Sequence, residues 1–282
     1  MELPLAIANL RGQLAIRICL INQKGGCGKS SSCFHLAGAF AAQGKRVLLV
    51  DADPQGSLSQ GFLGSSAVES LPQNQTLANV FDESSFFSAN NSVVIETGFE
   101  GILLAPTNQH LAQYNVPNPE KSGLEQFVLQ QFLQDQPGVD LVLIDCPPNL
   151  YRCSWSAMLA ADFVIVPVPP EDFGTQGLKA IHQAIQSART LNPNLRRLGH
   201  LITRADRRLL IHRSYETRLR KAYADLVLTT VIPELSAFKV ATAARMPVEY
   251  YQPSSVAANL TRALAHEILD RVSEKLKLRD VA

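Results

Sequence analysis

The chain has 282 residues, 46% of them hydrophobic and 18% charged, with a net charge of +1. We read it as a single α/β domain over residues 1–282, in which residues 1–13 form a short N-terminal extension too small to read DNA alone. No apolar run reaches the roughly 18–20 residues that span a bilayer, residues 1–12 lack a secretory leader pattern, and the five cysteines (Cys19, Cys27, Cys33, Cys146, Cys153) include no C-x-x-C pair, so a cytoplasmic protein with reduced thiols and no membrane partner is expected.

A buried strand is expected at residues 16–21, followed by Lys24-Gly25-Gly26-Cys27-Gly28-Lys29-Ser30 and a helix over 29–43. Strand, glycine-rich turn and helix in that order form a phosphate-binding loop. The glycines let successive N–H groups converge on an anion, and the helix N-terminus adds about half a positive charge. Lys29 is then placed for the β- and γ-phosphates and Ser30 for Mg²⁺, with Ser31 following in the nucleotide-binding run. The loop also departs from the ordinary form: Gln23 stands where a glycine is expected, and a second lysine, Lys24, follows it.

A second strand at 47–50 ends in Asp51-Ala52-Asp53-Pro54-Gln55-Gly56. Two carboxylates at the end of a buried strand can both approach the phosphates, Asp51 through a water in the Mg²⁺ shell and Asp53 by orienting the attacking water. Residues 61–101 are Ser-, Asn- and Gln-rich and are expected to be a loop-rich insertion at the surface, with one short helix near 77–81. A weaker strand at 102–105 and a helix over 120–134 come next. The strand at 139–144 then runs into Asp145-Cys146-Pro147-Pro148, an Asp at a strand end able to hold Mg²⁺ through water, followed by a rigid turn. Further strands are expected at 163–168, more weakly at 198–203, and at 226–231, with helices at 174–191, 211–224 and 254–278. This alternation gives a doubly wound, mostly parallel sheet flanked by helices, of the P-loop NTPase type, with ligands beyond the carboxyl ends of its strands.

Charge is uneven along the chain. Residues 196–221 contain nine basic side chains against Asp206 and Glu216, a local balance of +7 that leaves −6 for the remainder. Such a block suits a polyanionic partner.

With these motifs in this order, together with residues 161–168, Gly177-Leu178, Val231-Ile232-Pro233 and Met246-Pro247-Val248, the chain resembles the ParA/MinD family of deviant Walker A ATPases, on the ParA (Soj-like) partition branch. The resemblance implies ATP and Mg²⁺ as ligands and an ATP-dependent homodimer with two nucleotides at its interface. Lys24 would reach the nucleotide of the opposite subunit, Lys29 its own, Pro233 would join the nucleotide site, and Asp53 would serve hydrolysis. It also implies non-specific DNA binding, for which Arg204, Arg207, Arg208, Arg213, Arg218 and Lys221 are the candidates, nucleoid association of the ATP form, and a stimulating partner that is ParB-like or a cargo adaptor. A MinD-like member would instead use the stripe Leu260, Leu264, Ile268, Val272, Leu276 at a membrane, although core packing is the simpler reading of it. A nitrogenase-iron-protein-like member would hold a cluster on cysteines such as Cys146 and Cys153, whose spacing and setting do not match that pattern. Cys27 is expected to face away from the phosphates and Cys146 to be buried packing, while residues 149–152 form a larger turn than the family usually has.

Overall fold

The computed structural model describes residues 15–82, 93–170 and 175–280. Along the chain run β1 (Ile16–Leu20), α1 (Lys29–Ala41), β2 (Val47–Asp51), α2 (Ser57–Leu63), α3 (Ser65–Glu69), β3 (Ile95–Glu96), β4 (Ile102–Ala105), α4 (Val128–Gln134), β5 (Leu141–Asp145), α5 (Arg152–Ala160), β6 (Phe163–Val168), α6 (Thr175–Ala188), β7 (Arg196–Ala205), α7 (Leu210–Tyr223), β8 (Ile232–Pro233), α8 (Ser236–Ala243), α9 (Val248–Tyr251) and α10 (Val256–Asp280).

The strands form one sheet in the order β3-β4-β2-β5-β1-β6-β7-β8. Every neighbouring pair is parallel except the β3/β4 edge. Parallel strands covered on both faces must be apolar throughout, and β2, β5 and β6 are buried at every position. Alternation along β1 sends Ile18 and Leu20 to one face and Cys19 and Ile21 to the other. The first face packs on α1, through Phe34, Leu36 and Phe40, and on α10, through Leu264, Ile268 and Val272. The second packs on α4, α5, α6 and α7, through residues such as Leu129, Trp155, Ile181 and Leu219. The C-terminal stripe is therefore core, and each fully buried Leu or Ile of that kind contributes roughly 1.5–3 kcal/mol relative to exposure. Among the described residues, no helix is long and apolar enough to cross a membrane.

Three sequence expectations change. Residues 226–231 are not a strand: Ala224–Leu226 is a 3₁₀ turn, Val227 makes an isolated bridge to His200, and the strand is the later Ile232–Pro233. Long side chains take the place of a ladder there. Arg271 donates to the carbonyls of Asp225 and Val227, Arg220 to that of Leu228, and Glu267 accepts from the N–H groups of Thr229 and Thr230. The helix expected over 120–134 is broken into 3₁₀ turns at Pro119–Lys121 and Gly123–Phe127 before α4 begins at Val128. Gly123 adopts φ +57°, a left-handed conformation that ends helical geometry. The stretch expected to be surface loops with one short helix near 77–81 has that helix, as a 3₁₀ turn at Leu77–Asn79, but also contains α3, β3, the end of α2 and the buried side chains Val68, Leu77, Ala78, Phe81 and Val93. These apolar side chains, spaced too irregularly to show a period, anchor it to the core; residues 83–92 lie outside the described part.

Candidate active site

The loop between β1 and α1 stands at the carboxyl edge of the sheet, where β1 has β5 on one side and β6 on the other. Gly28 caps α1 at φ +89° and Gly26 adopts φ +69°, conformations that cost little only without a Cβ. Asn22 fixes the entry to the loop: its side chain donates to the Pro167 carbonyl at 2.6 Å and accepts from the Lys24 N–H at 3.0 Å. Lys29 is buried, its Nζ donating to the carbonyls of Asn22 at 3.2 Å and Lys24 at 3.5 Å. Lys24 is exposed, Ser30 is half-buried and Ser31 exposed. The Cys27 side chain is buried between two left-handed glycines, its Sγ 3.9 Å from Lys29 Nζ. Burial, foremost, pushes its thiol pKa up, so it is held protonated.

Behind the loop, β2 and β5 align Asp51 directly with Asp145, both wholly buried. Asp51 Oδ2 accepts from the Ser59 N–H at 2.8 Å and its hydroxyl at 2.7 Å, while Ser59 Oγ accepts from the Thr107 N–H at 2.9 Å. Burial, and then the neighbouring Asp145 carboxylate, push the Asp51 pKa well up. Asp145 has no hydrogen-bond partner of good geometry on either oxygen. Burial raises its pKa to about 7, opposed by the nearby Ser30 hydroxyl and Lys29. An orphaned buried carboxylate beside a second one is a donor set matched to a hard divalent cation, which supplies the missing charge and ligation. Asp53 lies nearer the surface, its Oδ1 accepting from the Gln55 N–H at 3.0 Å.

The loop forms one wall of a cavity of about 490 Å³, a size suited to a small-molecule ligand. Asp53 and Pro148 border it, and Thr203, Arg204, Pro233, Leu235, Phe238 and Lys239 complete its lining. Lys24 is not among the lining residues, and Asp51 and Asp145 lie beneath rather than on its surface. Sequence reading missed Asn22, Ser59, Thr203, Glu234 and Phe238. They carry no local pattern and reach the site only through the fold.

The basic block does not form one patch. Arg196 opens β7, at the far end of that strand from Arg204, and donates to the Lys275 carbonyl at 3.0 Å. Arg220 pairs with Glu216 at 2.9 Å. Arg204 is tied to the phosphate loop, donating to the Gly26 carbonyl at 2.9 Å and facing Glu234 at 3.6 Å. Arg207, Arg208, Arg213, Arg218 and Lys221 are exposed, the last three on α7, whose buried side chains are Tyr215 and Leu219. Arg208 grips Asp206 with Nη2–Oδ2 at 2.7 Å, and this pairing holds the Asp206 carboxyl at about 2.

Residues 15–197 match a family model described as an AAA domain. The chain is 36% identical over 262 residues to the chromosome-partitioning ATPase Soj of Thermus thermophilus, covering 92% of this chain and 97% of that one. The chain belongs to the ParA/Soj family of P-loop ATPases. A second member, the chromosome partitioning protein ParA of Caulobacter vibrioides, is 30% identical with 92% and 95% covered. Among solved structures, the cobyrinic acid a,c-diamide synthase of Mycobacterium smegmatis, with a bound ATP analogue and magnesium, superposes with a TM-score of 0.74 at 28% identity, covering 91% of this chain and 95% of that one. As a ParA/Soj ATPase the chain takes ATP with Mg²⁺, consistent with the loop, the cavity and the unpartnered Asp145.

Proposed function

We propose that this ParA/Soj ATPase forms an ATP-dependent homodimer, binds DNA without sequence preference in that state, and is stimulated to hydrolyse ATP by a ParB-like or cargo-adaptor partner, so that a plasmid, chromosome region or other cargo is partitioned. The observation that carries the reading is the split between two lysines of one loop: Lys29 is buried, whereas Lys24 is exposed and does not line the cavity. Facing two polyphosphates across an interface is costly without additional cations, and Lys24 from each copy supplies one. In this reading residues 24–31 and Pro233 surround the nucleotide. Ser30, with Asp145 and Asp51 acting through water, would hold Mg²⁺, which would supply positive charge against the transferred phosphoryl group. Asp53, at the cavity edge, orients the attacking water. Loss of the γ-phosphate removes the charge that Lys24 pairs with, and the dimer opens. In sequence the two named relatives and this chain align over nine-tenths of its length, which supports the partition role.

The exposed set Arg207, Arg208, Arg213, Arg218 and Lys221 is the proposed DNA surface, with phosphate displacing Asp206 from Arg208. A gel shift with non-specific duplex in ATP and in ADP across a salt series, with molecular mass measured in parallel, tests the dimer and its DNA binding. Dimer and DNA complex should both require ATP, and the complex should weaken steeply with salt. Equal DNA binding in ADP, or an ATP-bound monomer on DNA, would refute it.

A further inference from the structure

Successive side chains of a regular strand point to opposite faces, yet Thr203 and Arg204 at the end of β7 both engage the phosphate loop. A bulge makes this possible. In the β7/β8 pairing Thr203 stands opposite Ile232 and Ala205 opposite Pro233, so Arg204 is the extra residue, at φ +54°. For a residue with a Cβ that left-handed backbone is unfavourable, and such conformations persist where surrounding contacts over-determine them. Here they do. Thr203 Oγ1 donates to the Cys27 carbonyl at 2.7 Å, and Arg204 Nη1 donates to the Gly26 carbonyl at 2.9 Å. The other arm of Arg204 faces Glu234 Oε1 at 3.6 Å, and the same oxygen accepts from Lys239 Nζ at 2.6 Å.

In a planar trans peptide the N–H points opposite to the C=O. Holding the Gly26 carbonyl towards β7 therefore aims the Cys27 N–H away from β7, and holding the Cys27 carbonyl does the same for the Gly28 N–H. Two consecutive loop N–H groups are thereby fixed in direction before any anion arrives, as donors to a phosphate require. We propose that Thr203 and Arg204 are positioning residues for ATP binding: they orient the phosphate loop through its carbonyls, and Glu234 with Lys239 holds Arg204 in place. This rests on the nucleotide reading of the cavity. An interaction present in ground state and transition state alike acts on KM rather than on kcat.

The test is ADP affinity by calorimetry and ATPase kinetics for Thr203→Val, Thr203→Ser, Arg204→Ala and Arg204→Lys in the full chain, with the nucleotide-free melting temperature of each. Thr203→Val and Arg204→Ala are each expected to weaken ADP by about tenfold, the loss of one strong or charge-assisted hydrogen bond, with the ATPase loss carried by KM. Thr203→Ser and Arg204→Lys, which restore a donor, should recover most of it. Affinity unchanged in Arg204→Ala, failure of both conservative variants to recover binding, or losses that follow melting temperature would overturn the assignment. Absence of ADP binding by the unaltered protein would instead overturn the nucleotide reading, and the assignment with it.

Discussion

His35 gives a prediction whose size follows from the structure. It sits on α1, six residues beyond Lys29, and is 3% exposed. Its Nδ1 accepts from the Val248 N–H at 3.1 Å, its Nε2 lies 3.4 Å from the Thr242 hydroxyl, and its ring packs 4.9 Å from that of Phe238. Burial lowers its pKa from 6.5 to about 3. The folded protein therefore refuses a proton that the unfolded chain accepts: His35 costs nothing above about pH 6.5, and stability falls as the pH drops from there towards about 3. At about 1.4 kcal/mol per pH unit, that loss is ~2 kcal/mol at pH 5. His35→Asn keeps an acceptor for the Val248 N–H and cannot titrate. It should be less stable at pH 8 by about 1–2 kcal/mol through lost packing, but the gap should shrink by ~2 kcal/mol at pH 5. His200, which burial also lowers to about 3, is present in both proteins and cancels from the comparison, as does Asp145. Urea unfolding of the nucleotide-free proteins from pH 8 to pH 5 measures the difference. Parallel stability curves would refute the reasoning.

Lys29→Ala should lose nucleotide binding, since it removes the buried cation of the loop; calorimetry with ADP and ATP checks this, and tight binding would remove the phosphate-loop assignment. Asp53→Ala should bind ATP and accumulate as a dimer with turnover reduced about a hundredfold or more, the usual scale for a general acid–base or water-orienting group, as read by sizing and phosphate release. Replacing Arg207, Arg208 and Arg213 together by Glu should abolish ATP-dependent DNA binding while leaving ATP affinity within about twofold, because none of the three lines the cavity. Unchanged DNA affinity would move the interface elsewhere.

What the sequence made legible was what lies close together along it. The loop of residues 24–30 and the acids Asp51, Asp53 and Asp145 each end a short apolar strand, and all the strongly apolar strands but one appear where expected. The exception, residues 226–231, failed because its backbone partners are side chains such as Glu267 and Arg271, some forty residues on, which no local period records. Thr203 and Arg204 reach the loop from 176 and 178 residues away. Charge alone groups Arg204 with the neighbouring arginines, whereas the bulge at the end of β7 brings its side chain to the Gly26 carbonyl. The basic block misled in the same way: a count of charges over a window mixes Arg196, at one end of a ten-residue strand, with Arg207, beyond the other.

The side-chain brace around residues 225–230 makes α10 a remote part of the cavity wall. Arg271 and Glu267 hold the run that delivers Ile232 and Pro233 to β8, and Pro233 borders the cavity. A chain shortened ahead of Glu267 keeps every residue that touches the cavity, yet loses the clamp that places one side of it together with the core side chains Ile268 and Val272. Limited proteolysis in the last helix should therefore silence the ATPase while leaving the whole phosphate loop uncut.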